Sequence, residues 1–192
     1  MKINKFLIVL ISAFFTGFLA LHATNSSPIK DKVQFTFIQK GDQYDFHGVF
    51  TVAADSQAVW DVLTDYNHFS EFISNMHCHI RQREGNDLLV DETVGGGFLF
   101  IRQEVKGLLK VHEEPLTTFS LEEVSQKSFQ LYQGVWKILL DPSGKSAKVS
   151  YDLQAQRNRF TPHFVTADLF RQSSEDLMVE MKREIERRKA KK

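Results

Sequence analysis

The adjacent residues Asp65 and Tyr66 are the first pair in the sequence whose side chains suit acid–base chemistry. They stand in the stretch VWDVLTDYNHFSEF, Val59 to Phe72, whose apolar residues at 59, 62 and 63 fit one buried face of a helix. A general base must lie within about 3 Å of the proton that it removes and needs a tuned pKa, and neither follows from this spacing. We therefore interpret the stretch as a packing element over a cavity, in which Asp65 and Tyr66 end a helix.

The triplet His77-Cys78-His79 has the residue types of a metal site. Side chains alternate between the two faces of a strand, so His77 and His79 would share one face and Cys78 would occupy the other. Side chains on two faces do not converge on one ion, whereas zinc is held by three or four protein ligands. We predict no metal site and no cofactor, and we interpret Cys78 as a small, buried apolar residue.

The glycine triplet Gly95-Gly96-Gly97 has the composition of a phosphate-binding loop. Such loops direct backbone N–H groups at a phosphate from the N-terminus of a helix. In this sequence a segment with strand character follows the glycines instead of a helix. The triplet therefore predicts a hairpin turn or a β-bulge.

Alternating apolar residues predict a β-hairpin or one long bent strand pair over 33–54, with a turn at Gly41-Asp42. Asp55 or Ser56 is a suitable N-cap for a helix over about 56–66, and a second short helix is expected over 68–74. Turn residues separate the later apolar runs, which indicates antiparallel neighbours. These runs predict strands at Cys78–Arg83, Leu88–Val94, Phe98–Val111, Thr118–Val124, Ser128–Leu140 and Lys148–Ala155.

The last segment predicts one long helix that begins at Thr161-Pro162, because proline suits the first helical position and threonine can cap it. Its expected inward stripe is Phe170, Ser174, Leu177, Met181 and Ile185. The element order predicts an α+β fold in which a curved antiparallel β-sheet wraps around the long C-terminal helix, with two short helices after the first strands. A long helix does not fill the hollow of a strongly bent sheet, so we expect a cavity between them.

Inward-facing residues on the later strands and on the long helix are the candidates for lining this cavity. They are Phe119, Leu121, Trp136, Ile138, Val149, Tyr151, Leu153, Phe170, Ser174 and Leu177. For any one of them, a place in a solid core is an equally good interpretation. Ser174 is informative because a small polar residue on an apolar stripe leaves room and one hydrogen-bonding group for a ligand.

The N-terminus has the layout of a secretory signal peptide, with Lys2 and Lys5 before an apolar run and the small residue Ala23 before a polar stretch. The expected organisation is a signal peptide over 1–23, a flexible arm over 24–31, one domain over 32–188 and a basic tail over 189–192. Cleavage near Ala23 predicts a periplasmic or secreted protein. An uncleaved N-terminal membrane anchor is the alternative.

The charge balance argues against nucleic acid as a partner, because 24 Lys and Arg residues stand against 24 Asp and Glu residues. The segment Lys182–Lys192 carries seven basic residues and two glutamates, which suits peripheral contact with an anionic membrane at about 1 kcal/mol per well-placed base. Helix C-termini commonly carry such residues, so a solvated tail is the favoured interpretation.

The run ADSQAVWDVLTDYNHFSEFISNM, which begins at Ala54, resembles the opening of START-like helix-grip proteins of the SRPBCC superfamily, among them the polyketide cyclase/dehydrase and coenzyme Q-binding families. The later segments GVWKILLDPSGKSAKVSYDL and TPHFVTADLF resemble their tryptophan strand, the strand after it, and the start of their closing helix. The resemblance covers about residues 45–185. It implies a helix-grip fold around an apolar pocket, and it implies no single chemistry, because carriers, cyclases and interaction modules share this scaffold.

These observations favour an exported protein that binds a hydrophobic small molecule, such as a lipid, a quinone-like or a polyketide-like compound, and acts as a carrier or sensor without catalysis. A cyclase/dehydrase-type enzyme that uses the same cavity is the first alternative, with Tyr151 and His163 as scattered acid–base candidates. An envelope protein-interaction module is the second alternative, and it requires an exposed apolar patch.

Overall fold

The computed structural model of the protein describes residues 33–98 and 101–191. The predicted signal peptide and flexible arm lie outside these residues. Strands β1 (Gln34–Lys40) and β2 (Gln43–Val52) pair as an antiparallel hairpin, as the alternating pattern predicted. Gly41 occupies the turn with a φ of 59°, a left-handed conformation that glycine adopts without steric cost.

Six more strands and three helices follow this hairpin. They are α1 (Ser56–Leu63), a 3-10 helix (Tyr66–Glu71), β3 (Met76–Glu84), β4 (Asp87–Phe98), β5 (Ile101–Glu114), β6 (Thr118–Glu123), β7 (Phe129–Leu140), β8 (Ala147–Arg157) and α2 (Ala167–Lys189). The strands form one antiparallel sheet in the order β1-β2-β8-β7-β6-β5-β4-β3. The predicted α+β helix-grip architecture is confirmed.

The helix α2 lies closest to the sheet at β2 and β1. Met178 of α2 is fully buried, and a Cβ atom at Gly48 of β2 would lie 2.9 Å from its Cε. Glycine at this position lets the Met178 side chain lie directly on the backbone of β2. The helix therefore packs mainly against the β1–β2 side of the sheet.

The long helix begins at Ala167 and not at the predicted Pro162. Thr166 is the N-cap, and its side-chain oxygen accepts a hydrogen bond from a backbone N–H of the first turn at 3.2 Å. Thr161 is buried, and its hydroxyl donates to the carbonyl of Ser128, which ties the preceding loop to the start of β7. The predicted start was wrong because both threonines precede the apolar stripe, and the local pattern does not distinguish them.

The glycine triplet Gly95–Gly97 lies inside β4, where it pairs with residues 102–104 of β5. The turn predicted at these glycines was therefore wrong. The ladder continues without a register shift to Phe98 opposite Ile101, so the described part of β4 contains neither a turn nor a bulge at the glycines. Glycine weakens a strand without forbidding it, and the pairing with β5 carries the ladder through the triplet.

Aromatic rings stack across β6, β7 and β8 on the inner face of the sheet. The ring centroids of Tyr151 and Trp136 are 4.3 Å apart, and Phe119 stacks on the other side of Trp136 at 6.1 Å. Gly134 gives Tyr151 the space to lie over β7, because a Cβ atom there would lie 2.8 Å from the tyrosine ring. Trp60 of α1 contacts Phe119 edge-on, at 6.1 Å between centroids. This packing holds the ring of Tyr151 in one position.

Asp65 follows α1 and is one of the two residues whose types suit acid–base chemistry. In the structure it is bound to the C-terminal end of α2. Its carboxylate accepts a hydrogen bond from Arg188 at 2.7 Å and contacts Nδ1 of His68 at 2.6 Å. Burial of Asp65 opposes ionisation, but the hydrogen bonds from His68 and Arg188 outweigh burial and lower the pKa of Asp65. Asp65 therefore links two elements, and it points away from the interior described below.

Replacing Gly134 with alanine is expected to destabilise the fold by about 1–3 kcal/mol, because the added methyl group would displace the Tyr151 ring. Urea unfolding gives the difference in the free energy of unfolding. Lys137→Ala, at an exposed position of the same strand, is the control and should change that free energy by less than about 0.5 kcal/mol. Equal effects of the two substitutions would show that the glycine is not required for packing.

Replacing Asp65 with asparagine is expected to cost about 1 kcal/mol of stability at neutral pH. A carboxylate with a lowered pKa stabilises the fold above its unfolded pKa of about 3.9, and this contribution disappears as the pH falls through the folded pKa. The difference in the free energy of unfolding between wild type and Asp65→Asn should thus approach zero as the pH falls below about 4. Denaturant titrations across that range measure it, with exposed Asp61→Asn as the control. If this difference in the free energy of unfolding does not change with pH, the Asp65 ion pair is not the cause of the lost stability.

Candidate ligand pocket

Two small chambers lie between α2 and the inner face of the sheet. The Ser174 chamber has a volume of about 100 Å³ and is bordered by the N-terminal half of α2, the loop before it, and strands β4, β5, β7 and β8. The Trp136 chamber has a volume of about 40 Å³ and reaches from the same strands to α1, the 3-10 helix and β6. The two chambers share five lining residues, Met76, Glu92, Tyr132, Tyr151 and Leu177. One layer of side chains thus separates them.

Most of the cavity residues predicted from the sequence lie on these chambers. The Ser174 chamber is lined by Tyr151, Leu153, Phe170, Ser174 and Leu177. The Trp136 chamber is lined by Phe119, Leu121, Trp136, Tyr151 and Leu177. Whether these residues contact a ligand stays a prediction.

Ile138 and Val149 line neither chamber. They are cross-strand partners in β7 and β8, and both are buried in the packed core. The helix α1 packs against β7 and covers part of the inner face of the sheet. The alternation predicted correctly that these side chains point inward. Inward orientation does not determine whether a side chain contacts the packed core or lines a cavity.

The polar group that the sequence interpretation missed is Glu92. It follows Leu88 and Val90 on the inward-facing side of β4, so period-two alternation already places a carboxylic acid among apolar residues. The residue is half-buried and borders both chambers. Burial raises the pKa of Glu92 to about 7, and the charge of Glu123 adds to the shift. Among the described residues, the Glu92 carboxyl makes no hydrogen bond or ion pair.

Two phenols stand beside Glu92 in the shared wall. The hydroxyl groups of Tyr132 and Tyr151 interact with each other, and burial together with the charge of Glu92 raises the pKa of both. Both phenols consequently keep their protons across the physiological range. One O–H serves the hydrogen bond between the two hydroxyls, and the other is available as a donor. Glu92, Tyr132 and Tyr151 are called the polar cluster below.

The other polar residues considered from the sequence contribute less. Ser174 lies in its chamber, but its hydroxyl donates to the carbonyl of Phe170 at 2.9 Å, which leaves it only as an acceptor for a ligand. His163 is exposed and lines neither chamber, so it does not pair with Tyr151. Tyr66 borders the Trp136 chamber, but its hydroxyl is buried without a hydrogen bond of normal length.

The residues His77, Cys78 and His79 alternate between the two faces of β3, as the sequence predicted. His77 and His79 are exposed on one face of β3, whereas Cys78 borders the Trp136 chamber and burial raises the pKa of its thiol. Within the described part of the chain, no three His, Cys, Asp or Glu residues are arranged to hold a metal ion.

The basic segment at the C-terminus continues α2 as far as Lys189. Arg187 and Arg188 both pair with Glu184, and Lys182 pairs with Glu186. No helix within residues 33–98 and 101–191 is long and apolar enough to cross a membrane.

Comparisons with known proteins agree with this architecture. The family model described as polyketide cyclase/dehydrase and lipid transport matches residues 52–182. No curated protein sequence matches the chain significantly.

Solved structures with the same fold have low sequence identity to this chain. A STAR-related lipid transfer protein from Xanthomonas axonopodis is 12% identical with a TM-score of 0.61, over 79% of this chain and 98% of that one. The Zhui aromatase/cyclase from Streptomyces sp. R1128 is 15% identical with a TM-score of 0.62, over 76% and 95%. Human STARD10 is 12% identical with a TM-score of 0.56, over 80% and 72%. The match of the family model over most of the domain shows that the chain belongs to the polyketide cyclase/dehydrase and lipid transport family, and the helix-grip architecture agrees with it.

Proposed function

We propose that the protein binds a hydrophobic small molecule, such as a lipid, a quinone-like or a polyketide-like compound, and acts as its carrier or sensor. The observation that carries the proposal is the pair of adjoining chambers between α2 and the sheet, whose walls are mostly apolar. Apolar surface that a guest buries there contributes about 25 cal/mol per Å² to its affinity. Solved structures with the same fold include a lipid transfer protein and an aromatase/cyclase, which supports this class of ligand.

The size of the chambers sets a condition on binding. Pockets for drug-sized ligands have volumes of about 300–1,000 Å³, whereas the larger chamber has about 100 Å³. The shared wall contains Met76 and Leu177, whose flexible side chains can rotate. A ligand larger than a single aromatic ring would occupy both chambers after these two side chains move aside. The proposal therefore includes a rearrangement of the wall, not of the fold.

A cyclase/dehydrase-type enzyme is the second candidate function, and the polar cluster favours it. A carboxyl group with a pKa of about 7 suits general acid–base catalysis, and two phenols lie beside it. No second carboxylate, histidine or lysine lines either chamber in the described part of the chain. Binding without turnover is the simpler function for such a wall, because an acid and a base acting on opposite sides of a substrate are not both present.

The proposed location is outside the cytoplasm, after cleavage of the signal peptide near Ala23. The layout of residues 1–23 supports it. Contact with an anionic membrane through Lys182–Lys192 is a weaker part of the proposal, because internal ion pairs already engage Lys182, Arg187 and Arg188.

Mass spectrometry of the full chain expressed in a bacterial host tests the location. The expected result is a soluble periplasmic protein whose N-terminus lies near Thr24. An Ala23→Arg variant should be processed poorly, because signal cleavage requires a small residue before the cut. Full-length wild-type protein in the membrane fraction would instead support the anchor.

Replacing Ser174 with phenylalanine is expected to fill the larger chamber and weaken binding of a neutral apolar fluorophore, N-phenyl-1-naphthylamine, by at least about 10-fold, because the ring occupies the guest's volume. Gln172→Phe is the matched control, since it adds the same ring at an exposed position of the same helix. Fluorescence titration measures binding, and circular dichroism confirms that both variants are folded. Wild-type affinity in folded Ser174→Phe would contradict the proposed pocket.

A further inference from the structure

The shared wall carries the only formal charge among the described lining residues of the two chambers. Glu92 is that residue, and no lysine, arginine or histidine of the described chain lines either chamber with it. A half-buried carboxyl without a hydrogen-bond partner among the described residues lowers stability, because its partial desolvation is not offset by a hydrogen bond. The contacts that Glu92 makes within the protein do not explain its presence. A role toward a guest molecule does.

The neighbouring strands provide backbone hydrogen bonds to Glu123 but none to the Glu92 carboxyl among the described residues. Gly107 of β5 is its direct partner across the ladder, and a Cβ atom at Gly107 would lie 3.1 Å from Cγ of Glu123 on β6. The carboxylate of Glu123 accepts hydrogen bonds from the backbone N–H groups of Leu108, Ser125 and Gln126, the last at 2.8 Å. One glutamate of the pair is thus held by the backbone, while the other faces the chambers.

The surroundings of Glu92 favour its neutral form. The titratable groups that face it are Cys78 from β3, Glu123 from β6, Tyr132 from β7 and Tyr151 from β8, and none of them is basic. The side chains of α2 that line the chambers are uncharged. A neutral carboxyl offers an O–H donor, as the two phenols do. Because one phenol O–H is used between the two tyrosines, the polar cluster presents up to two donors to the interior.

We propose that the polar cluster, Glu92 with Tyr132 and Tyr151, is the anchor for a carbonyl oxygen, so that the ligand class is a hydrophobic ketone or quinone. This inference rests on the proposed function and specifies its ligand. A carbonyl oxygen accepts hydrogen bonds and donates none, which complements a cluster of donors. The same combination, a protonated carboxylic acid beside a tyrosine, binds the ketone oxygen in ketosteroid isomerase. A hydrocarbon would leave the donors unsatisfied, and a cation would find only one group able to bear the opposite charge.

The anchor makes ligand affinity depend on pH in a defined direction. The pKa of Glu92, about 7, lies well above the value of an exposed glutamate. Below it, the carboxyl donates to the carbonyl oxygen; above it, the donor is lost and a carboxylate faces the negative end of the ligand dipole. Affinity for a ketone should therefore fall as the pH rises through 7, whereas affinity for a hydrocarbon of the same shape should not.

Three matched probes with one aromatic ring test the anchor. They are acetophenone, ethylbenzene and 1-phenylethylamine, which present a carbonyl, a hydrocarbon and an ammonium group on the same carbon skeleton. Calorimetry or ligand-detected NMR measures each dissociation constant. Wild-type protein should bind acetophenone about 5-fold more weakly at about pH 8.5 than at about pH 5.5, which is the loss of one hydrogen bond. Ethylbenzene should bind equally at both pH values.

Two conservative variants separate the anchor from a general effect on the fold. Glu92→Gln keeps a donor and removes the titration, so it should bind acetophenone with no pH dependence. Tyr132→Phe keeps the ring and removes a donor, so it should weaken acetophenone by about 3-fold and leave ethylbenzene unchanged. The infrared band of ¹³C-labelled acetophenone should shift to lower frequency in the wild-type complex at low pH, and less so in Tyr132→Phe.

The outcomes distinguish the anchor from the pocket. Ethylbenzene binding without any pH dependence of acetophenone binding would overturn the anchor and leave the proposed function intact. Failure of both neutral probes to bind would overturn both. Tightest binding of 1-phenylethylamine at high pH, abolished by Glu92→Gln, would overturn the carbonyl anchor and show a cation site in its place.

Discussion

The close packing of α2 against β2 is the constraint on which the interior of this protein depends. Gly48 lets Met178 approach the strand, so the helix axis is held to one side of the sheet. A sheet of eight strands that curves around a helix in that position presents more inner surface than the helix covers. The uncovered part lies toward β3, β4 and β5, and both chambers border these strands. The pocket is thus a consequence of where the helix is held.

The chemistry of the pocket depends on two more glycines. Gly134 makes space for the Tyr151 ring, and Gly107, the strand partner of Glu92, makes space for the Glu123 side chain. Removing a side chain at one strand position allows a larger or more polar side chain on the neighbouring strand. The interior consequently combines a rigid aromatic stack with one flexible layer that contains Met76 and Leu177. Rigid walls orient a guest, and adaptable side chains admit guests of different shape.

Local rules predicted the strands well and the site less completely. Alternation gives the inward faces of β2, β7 and β8 correctly, because side-chain direction follows directly from backbone geometry. It does not separate Ile138, which lies in packed core, from Trp136, which borders a chamber, since that difference depends on where α1 and α2 lie. Glu92 was visible as a charged residue on an inward face. It was missed because its importance comes from having no hydrogen-bond or ion-pair partner within residues 33–98 and 101–191, which is a property of the assembled structure.

The pairing of β2 with β8 joins segments from opposite ends of the domain. Gln43 lies opposite Gln156, and Val52 lies opposite Ala147. Contacts between residues so distant in sequence form late and slowly, because a long loop must close before they stabilise anything. The hairpin β1–β2 can therefore pair with its neighbour in the sheet only after β8, the last strand of the chain, is available. If the chain is exported as proposed, its sheet can be completed only after β8, the last strand in the sequence, has crossed the membrane.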